Sequence, residues 1–205
     1  MSSKRRSPAR LSSSVPPSEH AGRRVLLSGG LLYIYGLGVL IIGDSGIGKS
    51  ENALELTARG HRFISDDTVV VERLPGGRLS GCPPELGRHF MEVRGLGIIN
   101  IKAIFGRKAI LERSPIDLVI VLRQWTRQQH SDRLGLKAPE TRTILGVRLP
   151  QISLPVAPGR NMGTLIEVAC RVHLLRAKGY SASREIVGRL HRVLAEGGRK
   201  GQKRD

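Results

Sequence analysis

Aromatic residues are scarce, with one Trp, three Tyr and three Phe in 205 residues, so a folded interior must be packed mainly from Leu, Ile and Val. Cysteine is nearly absent. Cys82 and Cys170 lie far apart with no Cys-x-x-Cys cluster, which suggests neither a disulfide framework nor a zinc site. The longest apolar runs, such as Val39 to Ile42 and Leu118 to Leu122, fall far short of the ~20 residues a membrane-spanning helix needs. Residues 1–24 have no apolar centre of the secretory kind, and Pro8, Pro16 and Pro17 break the amphipathic helix that an organelle transit peptide requires. A cytoplasmic location is expected. Internal repeats are also lacking.

Acidic residues are outnumbered, with 17 Asp and Glu against 34 Lys and Arg, for a formal net charge of +17. Such an excess raises nucleic acid as a partner, because clustered cations displace counterions from phosphate backbones. Part of it lies in two terminal segments, 1–24 and 197–205, which are basic and poor in apolar residues. They cannot repay the entropy of ordering and are expected to be disordered tails. Residues 25–196 then form one domain of a size that supports a single core. That domain remains basic, which suits nucleotide phosphates and an acidic partner as well as nucleic acid.

The order of elements points to an α/β fold with a mixed sheet and C-terminal helices. LLYIY and GVLIIG read as strands paired around a turn at Gly36, followed by a helix over Lys49 to Arg59 that faces Leu54 and Ala58 to a sheet and stops at Gly60. HRFISDD and TVVVERL are strands meeting at Asp66-Asp67. GRLSGC, MEVRGLGIINI and IDLVIVL continue the β-rich part, and ILGVRLPQISLPV reads as two strands broken by Pro150. Leu165, Val168, Val172 and Leu175 recur at helical spacing and read as core, and a last helix is expected from about Ser183 to Leu194.

Gly43-Asp44-Ser45-Gly46-Ile47-Gly48-Lys49-Ser50 fits G-x-x-x-x-G-K-[ST] at every fixed position, with an apolar strand entering and a helix leaving. Its glycines let backbone N–H groups turn inward on phosphates, and the new helix adds its positive end. Lys49 would reach the β- and γ-phosphates and the Ser50 hydroxyl would ligate Mg²⁺, so ATP or GTP is the expected ligand. A bare Gly-rich turn has no use for the Lys-Ser pair.

A phosphate loop does not name the acceptor. Asp66-Asp67 offers adjacent carboxylates pointing to different sides, one to hold Mg²⁺ through water and one to take the proton of an attacking hydroxyl. A solvated Asp-Asp turn is the alternative. Glu92 and Arg94, two apart on a glycine-punctured strand, would share a face, with Glu92 completing a metal shell and Arg94 bracing it, or the two forming an exposed ion pair. His61, His89 and His173 have no ligand spacing to one another and read as surface or satisfied core residues.

GDSGIGKSENALEL, SDDTVVV, MEVRGLGIINI, DRLGL, ILGV and PVAPGRN resemble, in order and approximate spacing, the catalytic domain of the HPr kinase/phosphorylase family over roughly Ser28 to Tyr180. The resemblance implies an ATP- and Mg²⁺-dependent enzyme that phosphorylates a serine of HPr, the small carrier protein of the sugar phosphotransferase system, and removes the phosphate with inorganic phosphate to give pyrophosphate. It implies that Lys49 binds phosphate, that Ser50 and Glu92 hold Mg²⁺, and that Asp67 beside Asp66 accepts the proton in one direction and donates it in the other. Arg133 is carried over as a catalytic cation, Leu154 to Gly159 as a loop for dephosphorylation, and a homo-oligomer, a hexamer, as the assembly. Ser28-Gly29 stands where the family has His-Gly, fifteen residues ahead of the first phosphate-loop glycine. Tyr33 replaces a usual acidic residue and Ala157 an Arg common in many members, and a basic tail is expected where the family carries a separate N-terminal domain. Ser28 cannot become cationic, which weakens the case for the reverse reaction and raises the alternative of a nucleotide-binding regulator or sensor with impaired catalysis.

Overall fold

The computed structural model describes residues 22–125 and 139–201. In chain order the elements are β1 (Arg24–Ser28), β2 (Gly30–Ile34), β3 (Leu37–Gly43), α1 (Lys49–Ala58), β4 (Arg62–Ser65), β5 (Thr68–Arg73), β6 (Leu79–Cys82), β7 (Phe90–Val93), β8 (Gly97–Asn100), α2 (Ile101–Phe105), β9 (Ser114–Pro115), β10 (Leu118–Gln124), β11 (Glu140–Ile144), β12 (Val147–Val156), α3 (Met162–Ala177) and α4 (Ala182–Gly201). A six-stranded mixed sheet, ordered β11-β12-β10-β3-β2-β4, packs against a four-stranded sheet, β1-β5-β6-β9, and β7-β8 form a hairpin of their own.

The layering follows from strands buried on both faces. Successive side chains point to opposite sides, so Val39 and Ile41 of β3, with Leu118, Ile120 and Leu122 of β10, meet Ala53, Leu56, Met162 and Ile166 from the helices. Leu40, Ile42, Val119 and Val121 point the other way, onto Val69, Val71, Leu79 and Ile116 of the smaller sheet and its approach. β3 and β12 each run parallel to the central β10, in register, so that Gly43, Leu122 and Leu154 form one row at the same end of the sheet.

Several expectations are corrected. The buried face of α1 carries Asn52, Ala53, Leu56 and Thr57, whereas Leu54 is only partly buried and Ala58 is exposed, because the apolar stripe is narrow and polar side chains complete it. β12 runs unbroken through Pro150, and the break lies earlier, in a turn at Leu145-Gly146 where both residues have positive φ, 48° and 75°. Pro150 pairs only with β11 and Pro155 only with β10, so each proline sits where one edge of the strand has no partner and its missing N–H is tolerated. In α3 the buried side is Met162, Gly163, Ile166, Ala169 and Cys170. Leu165 packs against the core, but Val168, Val172 and Leu175 are exposed, so the rest of the helical stripe read as core is an apolar surface. At the termini, β1 starts at Arg24, which pairs with Glu72 at 3.2 Å, and α4 runs past Leu194 to Gly201, into the segment expected as a tail.

Candidate functional site

The phosphate loop connects β3 to α1 at the end of the sheet where β10 and β12 also finish. Gly48 precedes the helix with φ 98° and ψ 25°, a left-handed conformation that a side chain rarely adopts. Asn52 steadies the loop by donating from Nδ2 to the Gly48 carbonyl at 2.6 Å. Lys49 is buried, and its Nζ donates to the carbonyls of Gly43 and Asp44, each at 2.9 Å. The lysine's donors thus fold across the loop. Carbonyl acceptors are the weaker partner for an ammonium, so a phosphate can draw it away.

Asp66 and Asp67 occupy the two-residue crossing from β4 in the larger sheet to β5 in the smaller one. The two strands meet at the acidic pair as the sequence suggests, but in different sheets. Asp67 has φ 61°, a conformation Asp tolerates better than most residues, and its carbonyl accepts from the Gly29 N–H at 2.9 Å. That contact, together with the pairing of Ser28 with Thr68, puts Ser28 next to the acidic pair.

Asp66 is the carboxylate that reaches the phosphate loop. Burial raises its carboxyl above the usual range and the charges of Asp67 and Glu51 add to the rise, while the Ser50 hydroxyl and the Asp67 backbone N–H oppose it. Its Oδ1 is buried without a hydrogen-bond partner. An unpaired buried carboxylate oxygen beside the loop's hydroxyl is what a hard divalent cation would satisfy. Among the described residues no three His, Cys, Asp or Glu side chains cluster as metal ligands, and Mg²⁺ sites ordinarily use one or two carboxylates with water and substrate phosphates.

Glu92 shares a 520 Å³ cavity with Asp66 and Asp67. The hairpin explains its placement and overturns one expectation. Glu92 lies on β7, but Arg94 falls in the turn between β7 and β8, because the glycines of MEVRGLGIIN fold the segment back instead of puncturing one straight strand. Glu92 and Arg94 therefore share no strand face. The wall beside Glu92 is otherwise apolar, with Phe90 two residues before it on β7, Ile98 paired with it across the hairpin, and Leu86, at 44%, 75% and 96% exposure. Sequence reasoning missed this wall, since three isolated apolar residues in a turn-rich stretch carry no periodic signal. It offered one carboxylate of the pair to Mg²⁺ without saying which, since nothing local in the sequence links Asp66 to Ser50.

Of Leu154 to Gly159, Leu154 to Val156 belong to β12, and only Ala157 to Gly159 form a loop, held by Arg160 Nη1 donating to the Pro155 carbonyl at 2.8 Å. Arg133 lies outside the described residues. Tyr33 sits on β2 opposite Arg62. His61 and His89 are each bonded to a glutamate at 2.8 Å, Glu167 and Glu112 respectively. Cys82 and Cys170 are free, and burial pushes the Cys170 thiol up to about 12.

Residues 19–190 match the family described as HPr Serine kinase C-terminal domain. The chain is 46% identical over 172 residues to the HPr kinase/phosphorylase of Alkaliphilus metalliredigens, covering 84% of this chain and 55% of that protein. It is 51% identical over 159 residues to that of Geobacter sulfurreducens, covering 78% and 50%. The solved Hpr(Ser) kinase/phosphatase from Coxiella burnetii superposes with a TM-score of 0.71 at 33% identity, covering 79% of this chain and 98% of that one. The chain thus spans about half the length of the curated relatives it matches. Its fold and sequence together place it in the HPr serine kinase family, in the C-terminal domain.

Proposed function

We propose that the chain is a cytoplasmic, ATP- and Mg²⁺-dependent kinase that phosphorylates a serine of HPr. The observation that carries this reading is the meeting of the Ser50 hydroxyl with the half-buried Asp66 carboxylate, whose Oδ1 has no partner, because it joins a phosphate loop to a proton-handling acidic pair. Ser50, Asp66 and Glu92 would hold Mg²⁺, which when bound neutralises charge on the β- and γ-phosphates. Gly43 to Ser50 cradle the phosphates, and Lys49 exchanges its two carbonyl contacts for phosphate oxygens. Asp67, exposed in the cavity beyond Asp66, takes the proton of the serine hydroxyl as its oxygen bonds to the γ-phosphorus and the bond to the β-phosphate oxygen breaks, releasing ADP. With inorganic phosphate attacking phosphoserine instead, pyrophosphate leaves and Asp67 returns the proton to the serine oxygen. Arg133 is assigned a supporting cationic role from the resemblance alone.

The apolar wall at Leu86, Phe90 and Ile98 favours a protein acceptor, since a free sugar would leave it wet. The exposed apolar side chains Val168, Val172 and Leu175 of α3 and Ile186, Leu190 and Val193 of α4 support an oligomer, for which the resemblance implies six copies. Incubation with γ-labelled ATP, Mg²⁺ and HPr tests the reading. Label on an HPr serine supports it, and bound nucleotide with unlabelled HPr replaces it with a nucleotide-binding regulator.

A further inference from the structure

The hairpin that carries Glu92 belongs to neither of the other sheets, since β7 and β8 pair only with each other. Its apolar side is set by Met91 and Val93, which flank Glu92 on β7 and enter the core shared by the large sheet and the helices. Such contacts are non-directional, so they decide which face Glu92 takes but not where the strand starts. That is fixed one residue before β7. His89 has φ 68°, a left-handed conformation that a residue with a side chain holds only when its surroundings impose it. Two bonds impose it here. The His89 carbonyl accepts from the Ile101 N–H at 2.9 Å, and its Nε2 lies 2.8 Å from Glu112 Oε1.

Glu112 is in turn part of an anchored segment. The Leu111 N–H donates to the Phe63 carbonyl at 2.8 Å and Arg62 Nη2 to the Ile110 carbonyl at 2.9 Å, which fastens 110–112 along β4. β4 runs directly into Asp66. The two carboxylates assigned to Mg²⁺ therefore stand on separate elements, and the His89–Glu112 bond is a side-chain link between those elements. Arg88 reinforces it, with Nε 3.5 Å from Glu112 Oε2. Among the described residues, Glu112 is the one side chain outside the hairpin and its lead-in to which 85–99 are hydrogen-bonded or ion-paired. Mg²⁺ demands near-octahedral geometry at about 2.0–2.1 Å, so the relative placement of its carboxylates matters.

We propose that His89 is a positioning residue for the metal: through Glu112 it ties the hairpin to β4 and so holds Glu92 where Mg²⁺ can bind it together with Asp66. His89 does not line the cavity that contains Asp66, Asp67 and Glu92, so it acts through Glu92 and not on the substrate. The inference rests on the reading of Asp66 and Glu92 as metal-holding residues.

The test follows binding of a non-hydrolysable ATP analogue to the full chain by calorimetry at a series of Mg²⁺ concentrations, with EDTA giving the metal-free affinity. Glu112→Ala breaks the bond while leaving His89 in place, and with that glutamate side chain 57% exposed its loss leaves the fold standing. It should raise the Mg²⁺ concentration for half-maximal tightening about ten-fold or more, with the metal-free affinity unchanged. Glu112→Gln, which keeps an oxygen for His89, should stay close to wild type. The decisive arm repeats Glu112→Ala in a Glu92→Gln background, where it should add nothing, because a positioning residue acts only through the residue it positions. A general loosening of the fold would act equally in both backgrounds. An equal effect in both, or none in the wild-type background, overturns the proposal and leaves the metal assignment intact. Glu92→Gln with no effect on the Mg²⁺ requirement overturns both.

Discussion

Replacing Asp66 by Asn should make the protein more stable and less able to respond to Mg²⁺ and nucleotide. The carboxylate is partly buried, its Oδ1 has no partner, and Asp67 and Glu51 repel it, so its charge is a liability in the nucleotide-free fold. An unsatisfied buried polar group costs about 1–3 kcal/mol, and Asn keeps a hydrogen-bonding contact for Ser50, so a gain of about 1 kcal/mol is expected, equivalent to a Tm rise of roughly 2–4 °C for a chain of this size. The pH dependence has a definite sign. The folded Asp66 carboxyl titrates above its usual 3.8, so the wild type loses stability as pH rises through that interval and the Asn variant does not. The variant's advantage is therefore full at neutral pH and closes as pH falls below 3.8. Adding Mg²⁺ and ATP at about 100 times Kd should raise wild-type stability by about 2.7 kcal/mol, and the variant should lose most of that gain. Thermal melts at two pH values, with and without Mg²⁺-ATP, read all four quantities. A variant less stable than wild type without nucleotide, or one with an undiminished response to Mg²⁺-ATP, refutes the assignment of Asp66 to the metal.

Phe90→Ser should raise KM for HPr about ten-fold while leaving KM for ATP unchanged, as steady-state kinetics with each substrate varied will show, because Phe90 lines the acceptor wall of the cavity and not the phosphate loop. Gly38→Ala should cost about 3 kcal/mol or more in denaturant unfolding, since its Cβ would lie 1.6 Å from the backbone oxygen of Pro115 and 2.6 Å from Ser114 Oγ. Glu167→Gln should destabilise the fold at neutral pH by about 1–2 kcal/mol, because Glu167 accepts hydrogen bonds from Tyr35, Arg59 and His61 and ties α3 to the end of α1. Burial alone would raise the Glu167 carboxyl, but those bonds hold it below its usual 4.5, so the contribution is present above that pH and fades as acid protonates the folded form, which urea midpoints along a pH series will reveal. Ser28→His, placing an imidazole beside the acidic pair, should increase pyrophosphate release from phospho-HPr and inorganic phosphate; an unchanged rate removes position 28 from the account of direction.

The strand, phosphate loop and helix from Leu37 to Ala58 were legible because the motif and its flanking elements are local in sequence. The acidic pair was equally visible, as was its position between two strands. What sequence could not supply was the sheet to which each strand belongs, since β4 and β5 differ by no composition that would send them to separate layers. Pro150 misled for a related reason: whether a proline breaks a strand depends on which edge is paired, and pairing is non-local. The same holds for α3, where Val168, Val172 and Leu175 have the spacing of a core face but the opposite face is the one that packs. In the site itself, Lys49 and Ser50 came from the motif, while the link from Ser50 to Asp66 needed the folded chain.

Asp67→Asn, assayed in a single turnover with γ-labelled ATP, Mg²⁺ and HPr alongside nucleotide binding, tests the central claim most directly. The account predicts nucleotide affinity within about two-fold of wild type and phosphoryl transfer to the HPr serine slower by about 10²–10⁴-fold, the loss expected for a removed general base. Transfer at the wild-type rate with Asn at position 67, or wild-type protein that binds nucleotide and leaves HPr unlabelled, would contradict it.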